Sequence, residues 1–122
     1  MMGLKFLDAT GNGSTSNAIN AIDFAIQAKL TLGVNLRVLS NSWGGSAFSQ
    51  SLLDEINTAY ANDMLFVAAS GNNGTNNDTT PFYPAAYNAG NIVAVTATDS
   101  TDARWSSANY GATTVHLGAP GV

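Results

Sequence analysis

The chain has 122 residues, contains no cysteine and carries a formal net charge of −4. Hydrophobic residues make up 45% of it and charged residues 10%, a balance that favours one folded domain over disorder. The four cations are scattered and no apolar run approaches the ~20 residues of a membrane span, so we expect no nucleic-acid or membrane partner. Without cysteine there is no disulfide, thiolate metal site or thiol nucleophile.

Short apolar runs alternate with amphipathic stretches, and the predicted order is β-α-β-α-β-loop-β-β. Apolar residues three and four positions apart predict helices over 18–30 and 51–62, and the apolar run 64–69 predicts a strand buried on both faces. The remaining predicted elements are strands at 2–7, 37–41, 91–97 and 115–117, and a surface loop at 71–84. This alternation predicts an α/β fold, in which a mainly parallel sheet is covered on both faces to give three α/β/α layers.

Polar segments follow three of the predicted strands, at 12–13, 41–45 and 70–74. Ligands of parallel α/β sheets bind at the carboxyl ends of the strands. We therefore expect any chemistry of this chain to lie in these three loops.

Two motifs near the first strand are better explained as turns than as ligand sites. Gly11-Asn12-Gly13 lacks the third glycine of a dinucleotide fingerprint, because position 16 is serine. Asp8 could be a phospho-acceptor at a strand end, but no acidic cluster accompanies it to hold Mg²⁺. We expect Asp8 to be a turn aspartate.

The other titratable residues are also expected to be structural. His116 is the only histidine, and its apolar surroundings indicate a surface or strand-edge position rather than a general base. Asp54 and Glu55 point ~100° apart on a helix and are expected on its solvated face. Glycosylation acceptors begin at Asn12, Asn73 and Asn77, and chance matches are expected in a chain this rich in asparagine.

The strongest signal is the segment 66–74, Phe-Val-Ala-Ala-Ser-Gly-Asn-Asn-Gly. A buried strand ends there in small residues, which let a second backbone approach, and turns at Gly71 next to Asn72. An asparagine amide at a strand end can donate a hydrogen bond into a cleft, as an oxyanion hole requires. Taken alone, the same residues could form only a turn.

Five further segments occur in a specific order around 66–74; the first precedes it and the other four follow it. They are Asn41-Ser-Trp-Gly-Gly45, Tyr83-Pro-Ala-Ala-Tyr87, Ile92-Val-Ala-Val-Thr-Ala97, Trp105-Ser-Ser107 and Leu117-Gly-Ala-Pro-Gly121. In this order and spacing they resemble the subtilisin-like serine proteases, the subtilases, over essentially the whole chain. Each motif is weak alone, and the ordered set is specific.

The resemblance implies roles for the matching positions. Asn72 matches the family's oxyanion-hole asparagine. One wall of the substrate cleft is implied at Ser42, Trp43 and Gly44, the opposite wall at Asn12 and Gly13, and one side of the pocket for the residue before the scissile bond at Ala68, Ala69, Ser70 and Gly71. The substrate would lie between the walls like an added strand. Tyr83–Pro84 matches a peptide bond that is cis in many members.

The catalytic triad of the family has no match in this sequence. The nucleophile motif G-T-S-M-A-x-P is absent, the catalytic Asp and His of the family lie upstream of the segment that matches 5–8, and Asp8 and His116 match neither. We therefore expect residues 1–122 to form a single partial domain, the central segment of a subtilase catalytic domain, that is inactive alone. The alternative is a non-catalytic module that binds peptides in the same cleft. A third reading, an unrelated doubly wound domain, needs phosphate-binding or acidic signatures that the sequence lacks.

By resemblance, the partner is a polypeptide substrate, the location is extracellular, no metal site is assigned, and no cofactor is required, although Ca2+ is compatible with a full-length protein. The location rests on the family, because residues 1–8 lack the features of a signal peptide. In the family's sheet, the strand that bears the catalytic Asp lies between those matching 2–7 and 37–41. Because that strand is absent, we expect unpaired edges and a homodimer through exposed sheet edges, or direct closure of the gap.

Overall fold

A computed structural model describes all 122 residues of the chain. Its elements are α1 Thr15–Leu32, β1 Val38–Asn41, α2 Gln50–Ala61, β2 Leu65–Ala69, β3 Ile92–Thr98 and β4 Leu117–Pro120. The strands form one sheet in the order β1-β2-β3-β4, and every neighbouring pair is parallel. The predicted mixed α/β fold with a parallel sheet is confirmed.

The helices begin at serine caps and end where the backbone leaves the helical conformation. Ser14 Oγ accepts a hydrogen bond from the Asn17 backbone N–H (3.1 Å), and Ser49 Oγ accepts one from the Leu52 N–H (3.3 Å). Helix α1 ends at Gly33, whose φ of 65° lies in the left-handed region that glycine adopts without strain. These local signals account for helix bounds close to the predicted 18–30 and 51–62.

Both helices contribute to one core cluster on one face of the sheet. Ile26 of α1 and Ile56 of α2 share this cluster with Phe66 of β2 and Ala94 of β3, and each is at most 1% exposed. Burying an isoleucine or phenylalanine side chain contributes about 1.5–3 kcal/mol, so these contacts fix the helices against the strands. Because all four strands are parallel, their carboxyl ends lie at the same end of the sheet.

The second face of the sheet is only partly buried, which corrects the prediction that the run 64–69 is buried on both faces. In β2, Phe66 and Ala68 are buried whereas Leu65 is 40% exposed. A continuous apolar run shows that both faces avoid polar side chains, but it does not say whether this chain supplies a layer for each face. Here three of the five buried residues of α1 and all three buried residues of α2 belong to the cluster on the first face.

The predicted strand at 2–7 is absent, and the segment is irregular. Leu4 packs against the core cluster, and the ring of Phe6 lies edge-to-face on Trp43 with 5.2 Å between ring centroids. A strand needs a neighbour for its backbone hydrogen bonds, and β1 pairs only with β2, so its other edge is free. The last strand is also displaced, from the predicted 115–117 to Leu117–Pro120, where Leu117 pairs with Val95 of β3.

Candidate active site

Two neighbouring cavities lie at the carboxyl ends of the strands. The first, of about 300 Å³, is bounded by the ends of all four strands and includes Ser42, Ala68, Ala69, Ser70, Gly71 and Asn72. The second, of about 400 Å³, includes Asn12, Gly13, Ser42, Trp43 and Gly44. All the site residues expected from the sequence therefore line these cavities. Asn72 does not share a cavity with Asn12 and Gly13, and Ser42 is the residue common to both.

Asn72 is the exposed polar residue at the tip of β2. The chain turns directly before it at Gly71, which is buried and has a φ of 106°. The buried neighbour Asn109 is engaged by backbone N–H groups of the same loop, whereas the Asn72 carboxamide has no hydrogen-bond partner in the chain. A neutral amide donor is thus free to face a ligand in the first cavity.

The loop that carries Asn72 is held by two buried asparagines that sequence reasoning did not place in the site. Asn77 is 0% exposed and Asn109 is 1% exposed. Asn109 Nδ2 donates to Asn77 Oδ1 (3.0 Å), and Asn77 Nδ2 donates to the Ser70 carbonyl (2.8 Å). In the sequence, Asn77 matches only a chance glycosylation acceptor, and Asn109 lies just beyond the Trp105-Ser-Ser107 motif. No local signal marks either residue as part of the site.

The first wall of the second cavity has unpaired backbone. No N–H or C=O group of residues 42–44 takes part in a backbone–backbone hydrogen bond, while the next residue, Gly45, pairs antiparallel with Tyr83 (2.7 and 2.8 Å). The orientation of the Trp43 side chain is fixed by a hydrogen bond, because its indole N–H donates to Asn41 Oδ1 (3.1 Å). An extended peptide could form backbone hydrogen bonds along this wall, as in strand addition.

Phe82 packs beneath both glycines of the site. A Cβ at Gly44 would contact the Phe82 ring and the Tyr83 carbonyl, and a Cβ at Gly71 would lie 3.1 Å from the same ring. Glycine is required at both positions because the aromatic ring approaches the backbone this closely. The peptide bond that follows, Tyr83–Pro84, is cis.

Asp8 supports the opposite wall and is a turn aspartate, as expected. Its Oδ1 accepts hydrogen bonds from the Thr10 hydroxyl (2.7 Å) and from the backbone N–H groups of Thr10 (2.8 Å) and Asn12 (3.0 Å). These bonds, led by that from the Thr10 hydroxyl, lower the pKa of Asp8 below its usual value. The carboxylate is therefore committed to shaping the loop that ends in Asn12.

His116 lies outside both cavities, at an exposed position directly before β4. Its Nδ1 accepts a hydrogen bond from the Ala94 N–H (2.8 Å), and its own backbone N–H donates to the Ala94 carbonyl (2.9 Å). The predicted strand-edge role is confirmed. The first cavity contains no titratable side chain, so it can bind and polarise a ligand but offers no general base.

Glu55 departs from the predicted solvated face of α2. Its Oε1 is buried without a hydrogen-bond partner, because α2 packs against α1 at this point. Burial raises the pKa of Glu55, and the nearby Asp23 carboxylate raises it further. Adjacent helix positions do diverge, but the sequence alone did not show that a second helix covers one of them.

The structure shows no cluster of side-chain carboxylates that could hold a calcium ion. Nowhere do three or more His, Asp or Glu side chains come together. The cavity at 85–89, of about 300 Å³, is lined by neutral residues and His116, and the Tyr87 carbonyl already accepts a hydrogen bond from the Ala89 N–H (3.1 Å). Ca²⁺ prefers six to eight oxygen ligands that include carboxylates, so this donor set does not suit it.

Neither helix has the length and apolar character needed to cross a membrane.

Comparison with known proteins places this geometry in a family. The chain is 35% identical over 120 residues to subtilisin DY of Bacillus licheniformis, and the alignment covers 98% of this chain and 40% of that protein. It is 36% identical over 119 residues to the minor extracellular protease Epr of Bacillus subtilis, covering 98% of this chain and 17% of the relative. A crystal structure of a psychrophilic subtilisin-like protease from Pseudoalteromonas sp. AS-11 matches with a TM-score of 0.76 at 30% identity, covering 96% of this chain and 24% of the other.

The chain thus spans less than half the length of these relatives. The model of the Peptidase_S8 subtilase family matches residues 1–122. With the parallel sheet and the order of its motifs, this match shows that the chain belongs to the subtilase family.

Proposed function

We propose that residues 1–122 are the central part of a subtilisin-like serine endopeptidase and supply its oxyanion donor and the walls of its substrate cleft. The observation that carries this proposal is the free carboxamide of Asn72 at the tip of β2, in the cavity that it shares with Ser42. Attack on a peptide carbonyl places negative charge on its oxygen. A fixed neutral donor that faces this oxygen stabilises the transition state more than the ground state.

The substrate would bind as an extended strand along residues 42–44, whose backbone groups are unpaired, and opposite Asn12 and Gly13. Strand addition orients the scissile carbonyl without fixing side-chain identity. The side chain before the scissile bond would enter the first cavity beside 68–71. The Phe82 ring lies close to the backbone of both Gly44 and Gly71 and so supports the two loops that would contact the substrate.

The nucleophile and base would come from residues outside this segment. The first cavity has no titratable group, and the only histidine lies elsewhere, so residues 1–122 alone are expected to be inactive. Flanking sequence with an upstream D-[ST]-G and H-G-T-H and a downstream G-T-S-M-A would identify the enzyme.

The second candidate is a non-catalytic module that binds peptides in the same cleft. The observation that favours it is the combination of unpaired cleft backbone with a cavity that contains no acid or base. This candidate predicts that the purified chain binds extended peptides without hydrolysing them.

Location and assembly belong to the same proposal. The relative named a minor extracellular protease supports secretion. We also propose that the isolated chain forms a homodimer through the free edge of β1. Calcium is not assigned to any residue of this chain, since the donor groups at 85–89 do not suit it.

The decisive experiment replaces Asn72 in the protease that contains this segment and its triad. Loss of one oxyanion-hole donor in a subtilisin lowers kcat about 10²–10³-fold, and we expect Asn72→Ala to lower kcat by the same order with little change in KM. Asn73→Ala is the matched control, because Asn73 is exposed in the same loop but lines neither cavity. Equal kcat values for the two variants would refute the oxyanion role.

Residues 1–122 alone are tested with a fluorogenic peptide and a serine-directed covalent reagent. We expect neither turnover nor labelling. Turnover together with labelling would show that the segment contains its own nucleophile, contrary to the proposal.

A further inference from the structure

Asn109 forms hydrogen bonds to both peptide groups that flank Asn72. Its backbone N–H donates to the Gly71 carbonyl (2.9 Å), and its Oδ1 accepts from the Asn73 N–H (2.8 Å). These two peptide planes set the backbone dihedral angles of Asn72. A single residue, distant in sequence, therefore fixes the direction in which the Asn72 side chain leaves the loop.

The Asn109 side chain has one orientation that satisfies its surroundings. Its Oδ1 also accepts from the Thr75 N–H (3.2 Å), while its Nδ2 donates to Asn77 Oδ1 (3.0 Å). A flipped amide would direct its N–H groups at the N–H groups of Asn73 and Thr75, and its oxygen at the Asn77 oxygen. Because Asn109 is 1% exposed, water does not replace the lost partners.

The backbone of Asn109 is tied to the ends of two strands. Its carbonyl accepts hydrogen bonds from Thr96 Oγ1 of β3 (2.6 Å) and from Ser70 Oγ directly after β2 (3.2 Å). Asn77 completes the connection by donating to the Ser70 carbonyl (2.8 Å). These hydrogen bonds thus connect the loop to the rigid sheet. Such a connection keeps a site within the roughly 0.5 Å that productive geometry requires.

We propose that Asn109, oriented by Asn77, is a positioning residue that aims the Asn72 carboxamide at the substrate carbonyl. This inference rests on the proposed function. The Asn72 side chain has no partner of its own in the chain, so its direction depends on the loop backbone. Misplacement of a catalytic group by about 1 Å can lower turnover about 10²-fold.

The test compares two buried asparagines in the protease that contains this segment and its triad. Asn109→Ala is expected to lower kcat about 10- to 100-fold and leave KM within about twofold, since the donor acts mainly on the transition state. Asn91→Ala is the control, because Asn91 is 4% exposed and its amide donates to the Ile56 and Met64 carbonyls, away from both cavities. The control should lose stability but keep its kcat per folded molecule.

A second readout is independent of turnover. After correction for the change in global stability, hydrogen exchange of the Asn73 and Thr75 N–H groups should accelerate in Asn109→Ala and not in Asn91→Ala, because Asn109 Oδ1 is their acceptor. Equal corrected rates in the two variants would contradict the inference. If Asn109→Ala does not fold, Asn77→Ala replaces it, and a smaller loss of kcat is expected because the Asn109 amide is then only less well oriented.

The outcomes separate the two hypotheses. An inactive parent protein refutes the proposed function and this inference with it. An active parent in which Asn109→Ala, or its replacement Asn77→Ala, retains the kcat of the Asn91→Ala control refutes the inference alone.

Discussion

At Gly71, one added methyl group should both strain the backbone and disturb the hydrogen bonds of Asn109 that hold the Asn72 loop. Its φ of 106° lies in a region that a residue with a Cβ rarely adopts. A Cβ there would lie 2.5 Å from Asn109 Nδ2 and 3.1 Å from the Phe82 ring. Gly71→Ala therefore forces either the loop or the Asn109 amide to move.

The magnitude has two parts. A non-glycine residue in a strained backbone region costs about 1–3 kcal/mol. Displacing the Asn109 amide leaves buried partners unsatisfied, at a cost of about 1–3 kcal/mol. We expect Gly71→Ala to lower the free energy of unfolding by about 2–6 kcal/mol, a large share of the roughly 5–15 kcal/mol typical of a domain.

Two other glycines separate these parts. Gly33 has a φ of 65° and no atom within 4 Å of an added Cβ, so Gly33→Ala adds backbone strain alone, about 1–2 kcal/mol. Gly44 has no such φ, but its Cβ would contact the Phe82 ring and the Tyr83 carbonyl, so Gly44→Ala adds only a steric contact. Urea denaturation of residues 1–122, followed by circular dichroism, measures all three. A loss for Gly71→Ala no larger than that for Gly33→Ala would refute the reasoning.

Two further predictions concern acid stability and assembly. Hydrogen bonds from the Thr114 and Thr113 hydroxyls lead in lowering the pKa of Asp78 from 3.8 to about 2, so its contribution to stability is present above pH 3.8 and lost as the pH falls through about 2. Asp78→Asn should flatten the pH dependence of the urea midpoint over this range, and an unchanged dependence would contradict the assignment. For assembly, Val38 is 52% exposed on the free edge of β1, and light scattering should show a dimer that Val38→Lys converts to a monomer. A monodisperse wild-type monomer would exclude pairing through this edge.

The helices were predictable because their signals are local. Apolar spacing marks the buried face of α2, and Ser49 caps its start one residue before the observed bound at Gln50. The segment 2–7 has comparable alternation, but strand formation depends on a partner strand that its own residues cannot report. For the same reason, the run 64–69 predicted β2 but not the exposure of Leu65.

The part of the candidate site that lies at strand ends and in the ordered motifs was predictable from the sequence. The positions of Ser42 and Asn72 follow from the rule that parallel strands present their carboxyl ends at one edge, and both line the first cavity. Asn109 could not be found in this way. Its relation to the site consists of hydrogen bonds to Gly71 and Asn73, which exist only after the chain has folded.

The carboxylates bear on what this segment can contribute to a reaction. Asp8, Asp78 and Asp99 each accept hydrogen bonds from a threonine hydroxyl and from backbone N–H groups, and each has a lowered pKa. A carboxylate held ionised by several donors is a poor proton acceptor at neutral pH, and none of the three lines the first cavity. These three carboxylates therefore stabilise loops, whereas the first cavity presents neutral amide, hydroxyl and backbone groups. Under the proposed function, such a cavity would align a substrate and stabilise a developing oxyanion, and proton transfer would come from groups outside its lining.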